Sequence, residues 1–174
     1  MCFEFLRNLL NRNKIKPEDL KDRVIVTNSE LLSLLLSLNP DNGRNSIYLG
    51  DYDFYKINSE FILKWAGEWV KKNKGHSHNE SRDCDKLALH LASYVHNQYN
   101  ELFPSEPEGL LFGEVWNWFP VNNIKGRDGH AVCIYFDTNL NCLRFLEPAT
   151  GQPFNLTEVL NSTRQWHPYL IRIP

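Results

Sequence analysis

Ser81-Arg82-Asp83-Cys84-Asp85-Lys86-Leu87-Ala88-Leu89-His90 is the stretch on which the reading of this chain turns. A cysteine between two aspartates opens a run whose apolar positions, Leu87, Ala88, Leu91, Tyr94 and Val95, recur at helical spacing. Cys84 is therefore expected in the first turn of an amphipathic helix. A helix start favours a thiolate, because its unpaired N–H groups and positive dipole end stabilise the anion. Asp83 and Asp85 act the other way and raise the thiol pKa, so an activated Cys84 needs a cationic partner.

Gly129-His130-Ala131-Val132 and Glu147-Pro148 supply candidates in the chain order cysteine, histidine, acid. His130 to Asp137 and Asn141 to Glu147 flank Thr138-Asn139-Leu140-Asn141, which reads as a β-hairpin. If Asp137 pairs with Cys142, then Val132 faces Glu147 and His130 faces Ala149, leaving His130 and Glu147 diagonal on one face. A carboxylate there can orient the imidazole through its second nitrogen, as the base of a nucleophile requires. A slip of one residue would separate them. His90 and His96 lie too rigidly along the Cys84 helix to reach back to it, and read as surface or packing residues.

The rest of the chain reads as scaffold. Residues 3–13 form an expected amphipathic helix, apolar at Phe3, Phe5, Leu6, Leu9 and Leu10. A helix start follows at Lys16-Pro17, an extended piece at Val24-Ile25-Val26, and a buried helix over 31–38 behind the cap Thr27-Asn28-Ser29-Glu30. The aromatic segment 47–56 is extended, Asn58-Ser59-Glu60 caps a helix through Trp65 and Trp69, and the Cys84 helix runs to about Tyr99 before Pro104 and Pro107. Leu111–Phe119 is a strand, with a short helix at 156–160 and a last strand at 169–173. The chain is expected to form a single domain over 1–174, of class α+β, with 1–46 a helical N-terminal extension packed on it.

Composition narrows the partners. Net charge is −2 with no concentrated cationic face, which argues against nucleic acid. The apolar run 31–38 is broken by Ser33 and Ser37 and is too short to span a bilayer, so no membrane partner is expected. Cys2, Cys84, Cys133 and Cys142 form no paired framework, and no signal-peptide pattern precedes them, which points to free thiols and a cytoplasmic setting. His76-Ser77-His78 near Cys84 offers a zinc reading, weakened by the lack of a second ligand pair at zinc-site spacing.

Asp83-Cys84-Asp85 with Ala88, then Gly129-His130-Ala131-Val132, then Glu147-Pro148-Ala149-Thr150-Gly151 resemble the papain-like cysteine peptidases. The resemblance is closest to the catalytic domain of the Marasmius agglutinin and its phage and bacterial relatives, and with Asp51-Tyr52-Asp53-Phe54-Tyr55 it covers residues 47–151. It implies a papain-like fold with a nucleophile-bearing helix packed on an antiparallel sheet. Carried over, Cys84 would be the nucleophile, His130 the general base and acid, and Glu147 the orienting acid. The implied function is a thiol hydrolase or acyl transferase, most nearly a peptidase, acting on a peptide or protein substrate. No cofactor is expected, although the resemblance implies calcium, with Asp51, Asp53 and Asp128 as candidate ligands. The chain departs from the family at Ala149, where Gln is common, and at Lys86-Leu87, which replace an acidic-aromatic pair. No oxyanion donor beyond the Cys84 N–H stands out; Asn79, Asn117 and Trp118 are the candidates. The alternative reading is a non-catalytic binding or assembly protein, phage structural or host-inhibitory, on the same scaffold.

Overall fold

The computed structural model describes residues 15–38, 46–73, 84–120, 127–155 and 167–174. They form a mixed α+β fold built on a six-stranded sheet. The strands are β1 (Val24–Thr27), β2 (Ser46–Leu49), β3 (Asp53–Lys56), β4 (Gly109–Leu110), β5 (Phe112–Pro120), β6 (Arg127–Asp137), β7 (Cys142–Glu147), β8 (Gln152–Phe154) and β9 (His167–Ile173). The helices are α1 (Asn28–Ser37), α2 (Ser59–Asn73) and α3 (Cys84–Leu102), with a 3-10 turn at Pro17–Leu20. The large sheet has the order β2-β9-β5-β6-β7-β8, and β1, β3 and β4 form a smaller one. Both sheets are mixed, since β2 runs parallel to β9 and β3 parallel to β4. The expected single extended segment 47–56 is thus two strands that belong to different sheets.

Alternation along β6 divides the core in two. Ala131, Cys133 and Tyr135 point into a cluster with α2 and α3, through Trp65, Ala66, Ala88, Leu91, Ala92 and Val95. Val132, Ile134 and Phe136 point to the other face and pack on Leu31 and Leu35 of α1, with Val26 and Phe54. The small side chains Ala88, Ala92, Ala131 and Cys133 let α3 approach the strands closely, and the Cys133 thiol donates to the Ala88 carbonyl at 3.5 Å. The segment 24–54 therefore supplies a strand pair and a helix to the second layer. Helix α1 begins in a reciprocal cap: Thr27 Oγ1 accepts from the Glu30 N–H while Glu30 Oε2 accepts from the Thr27 N–H.

Three polar clusters fix the elements relative to one another. Arg23 lies between the Tyr55 and Phe103 rings, with its guanidinium carbon 4.5 and 3.9 Å from their centroids. It donates to the Tyr99 hydroxyl at 3.2 Å and to Glu106 at 2.6 Å. This ties the N-terminal turn to the end of α3 through cation–π and charge-assisted contacts together. Burial pushes the Tyr99 phenol up to about 12, so it stays a neutral acceptor for Arg23. At the centre of the sheet, buried Glu114 on β5 pairs with Arg172 on β9 and accepts from the Trp116 indole N–H at 3.0 Å. A buried carboxylate is tolerated only when its oxygens are satisfied in this way.

The third cluster centres on Asp137, which is 5% exposed. Its Oδ1 accepts from Ser59 Oγ, from the Asn139 N–H and from the Leu140 N–H, and its Oδ2 lies 3.5 Å from Arg144. One carboxylate thus shapes the β6–β7 turn, where Asn141 adopts φ of 52°, and anchors the start of α2. Asp137→Ala is expected to lower stability by about 2–4 kcal/mol, because it strands the buried Ser59 hydroxyl and frees the Asn139 and Leu140 amides that shape the turn. Urea unfolding of the variant checks this; a change under about 0.5 kcal/mol would mean the turn holds without the carboxylate. Gly113→Ala should be worse, since a Cβ there would collide with the Arg172 carbonyl and the Ile173 backbone of β9. The readout is the soluble folded fraction after expression, expected to fall to a small minority.

A candidate site around His130 and Glu147

The hairpin register runs from Asp137 opposite Cys142 to Cys133 opposite Leu146. Extended along the strands, it sets His130 diagonal to Glu147, and the two side chains meet: His130 Nε2 lies 2.7 Å from Glu147 Oε2. Both are about a quarter to a third exposed, at 30% and 27%. Glu147 is held from several sides. Its Oε1 accepts from the Ala149 N–H at 3.2 Å, and its carbonyl accepts from the Gly151 N–H at 2.7 Å. Gly151 has φ of +70°, a conformation glycine adopts without strain, and a Cβ there would press on Val70 of α2. The Pro148-Ala149-Thr150-Gly151 turn thus orients the carboxylate, and the carboxylate orients the imidazole. With the Nε2 proton directed at Glu147, Nδ1 is left as the ring's acceptor nitrogen.

Cys84 is the first residue of α3 and is half-buried against the core cluster that α3 shares with β6. Two contacts fix the direction of the helix. Ala88 lies level with Cys133, and further along His96 Nε2 meets the Phe112 carbonyl at 2.7 Å, level with Tyr135. Helix and strand therefore run the same way, and the Cys84 end of α3 lies toward the His130 end of β6. Asp85 accepts from the Lys86 N–H at 2.8 Å, a first-turn contact at the helix start. The arrangement offers a half-buried thiol, an imidazole and a carboxylate at one end of the sheet, all of them polar groups that a ligand can reach in part.

Other sequence candidates fall elsewhere. His76, His78 and Asn79 lie outside the described residues, as does the expected helix at 156–160. Asn117 pairs with His130 and Trp118 with Gly129 along β5. Asp51 sits against Gly109 at β4, and Asp53 begins β3. Among the described residues, no group of three or more His, Cys, Asp or Glu is placed to hold a metal ion. Sequence reading missed His96, whose hydrogen bond to β5 depends on a pairing that no local motif announces. It also missed Trp116, whose indole is held by Glu114 two positions away on the same face of the strand.

No protein-family model matches the chain, and no curated protein does. Several solved structures share the fold, and two of them illustrate it. One is a PSL1a-E64 complex, with a TM-score of 0.66 and 19% identity over 86% of this chain and 50% of that one. The other is Polyporus squamosus lectin bound to the human-type influenza-binding epitope Neu5Aca2-6Galb1-4GlcNAc, with a TM-score of 0.64 and 17% identity over 86% of this chain and 49% of that one. The chain spans about half the length of these neighbours.

The neighbours correct the expectation drawn from the motifs. The second is by its name a lectin with a bound glycan, and the resemblance to papain-like cysteine peptidases is not upheld. The reading of the chain as a cysteine-nucleophile hydrolase, acyl transferase or thiol protease falls with it. The physical reason is that the three motifs are short and are as compatible with a scaffold as with a reaction. A cysteine at a helix start packs as a small hydrophobe, and a histidine–carboxylate diagonal ties neighbouring strands whether or not any bond is cleaved.

The thiols provide a direct check on this geometry. Cys142 is exposed, Cys84 half-buried and Cys133 fully buried, and burial pushes the Cys133 thiol well above its ordinary range. Iodoacetamide labelling read by mass spectrometry should modify Cys142 readily and Cys133 only after unfolding. Comparable labelling of Cys133 and Cys142 in native buffer would refute the packing of α3 on β6.

Proposed function

We propose that the chain is a non-catalytic binding module with a glycan as its ligand. The observation that carries this reading is the shared fold with a lectin whose structure holds a sialylated trisaccharide. The site's chemistry supports it. A partly exposed carboxylate and imidazole, hydrogen-bonded to each other, offer the directional acceptors and donors that sugar hydroxyls need. We propose His130 and Glu147 as ligand-contacting residues, with Cys84 at the edge of the same site. This takes up the binding reading that the sequence left open and replaces the peptide substrate with a carbohydrate. The three described free cysteines suit a reducing compartment, and cytoplasmic residence belongs to the same proposal.

The test offers the chain the two ligands that the neighbours' structures carry. Titration calorimetry with Neu5Acα2-6Galβ1-4GlcNAc should give saturable binding, weakened at least about tenfold in His130→Ala, which corresponds to about 1.4 kcal/mol. Unchanged affinity in the variant would move the ligand away from His130. Absence of binding to this glycan and across a glycan array would remove the carbohydrate reading. Incubation with E64 should leave the intact mass unchanged; an adduct on Cys84 would overturn the non-catalytic reading.

A further inference from the structure

Tyr135 on β6 is fully buried, yet its hydroxyl makes no hydrogen bond among the described residues. Its partner across the hairpin is Arg144 on β7, whose Nε is likewise sealed from solvent and has no acceptor among the described residues. A buried phenol ordinarily finds a partner for its O–H, and a buried charged donor left bare costs more than a neutral one. On the other side Tyr135 is flanked by Phe112 of β5, so packing alone does not ask for the hydroxyl. The two orphans share one place, because directly opposite residues of an antiparallel pair stand on the same face. Neither satisfies the other: the phenol oxygen could accept from Nε–H, but no such bond forms.

The same face carries Asp137, two residues on from Tyr135, under the start of α2, where Ser59 Oγ donates to Asp137 Oδ1 at 3.2 Å. Asp137 keeps acceptor capacity. Its Oδ1 takes three donors, while the contact of Oδ2 with Arg144 Nη1 is a long one, 3.5 Å. Burial pushes the Tyr135 phenol up to about 12, so it remains an O–H donor at neutral pH. We propose that Tyr135, Arg144 and Asp137 hold one internal water molecule. Its oxygen accepts from Tyr135 Oη–H and from Arg144 Nε–H, and one of its protons goes to Asp137 Oδ2. About three polar partners is what an internal water ordinarily has. A water suits the charges better than an anion, which would satisfy both donors but lie beside the Asp137 carboxylate. The water extends the Asp137 cluster from the β6–β7 turn and the start of α2 to the middle of β7. The inference goes beyond the binding reading and does not depend on any glycan.

The experiment is Tyr135→Phe, which removes the hydroxyl and keeps the ring. A bare buried hydroxyl is a burden, so its removal would leave the folding constant unchanged or raise it. With the water in place, removal takes away one of the water's partners, and urea titration should show the folding constant falling at least about fivefold. The loss should be at least about threefold smaller in an Arg144→Met background, because the two donors serve one acceptor. Wild-type stability should be the same in chloride and in gluconate at equal ionic strength. A crystal structure that resolves waters should show one within hydrogen-bond distance of Tyr135 Oη, Arg144 Nε and Asp137 Oδ2. A neutral or stabilising Tyr135→Phe, equal losses in the two backgrounds, or a direct hydrogen bond between Tyr135 and Arg144 in the crystal overturns the proposal. Stability that climbs with chloride concentration overturns it as well, by putting an anion in the water's place.

Discussion

The close seating of α3 on β5 and β6 is the constraint from which the rest of the structure follows. It requires small side chains at Ala88, Ala92, Ala131 and Cys133, and any larger residue at these fully packed positions would lift the helix. With α3 in place, α2 covers the remaining half of that face through Trp65, Ala66 and Trp69. The Cys84 end of the helix then falls at the His130 end of β6. The polar clusters at Arg23, Glu114 and Asp137 act at the periphery and centre of this contact. Each satisfies a charge with several partners, so each gives geometric definition as well as attraction.

The candidate site is a product of strand chemistry more than of the helix. His130 and Glu147 meet because the β6–β7 turn fixes the register, and the register is fixed by Asp137 binding the turn's own amides. A residue nearly at the far end of the hairpin thus determines whether an imidazole finds its carboxylate. The Pro148–Gly151 turn completes the arrangement from the other side by pinning Glu147 through its backbone and one carboxylate oxygen. Such a preorganised pair is useful to a binding site, because a ligand does not have to order it.

Much of this was legible in the amino-acid order where the information is local. The helix that starts at Cys84 is written in the spacing of Leu87, Leu91 and Val95, and the hairpin in Thr138–Asn141 between two apolar runs. The α1 cap is visible in Thr27 and Glu30. What was not legible is non-local. Nothing in Ile47–Lys56 announces that a bend at Asp51-Tyr52 sends its two halves to different sheets. Nothing near Tyr169–Ile173 says that this strand lies between β2 and β5. His96 reads as an ordinary packing histidine until β5 is placed beside it. The assignment of chemistry was the least secure step, because three short motifs in the right order describe a scaffold as well as a mechanism.

The position of β9 has a consequence for how the molecule is made. Its residues, near the end of the described chain, form an interior strand, zipped in parallel to β2 and antiparallel to β5. Helices and the β6–β7 hairpin can form as they emerge from the ribosome, but the central sheet cannot close until β9 has emerged. Until then β5 presents an unpaired edge with Glu114 lacking its arginine. The nascent chain is thus exposed to mispairing between the emergence of β5 and that of β9, and deletion of residues 167–173 would remove a central strand of the sheet.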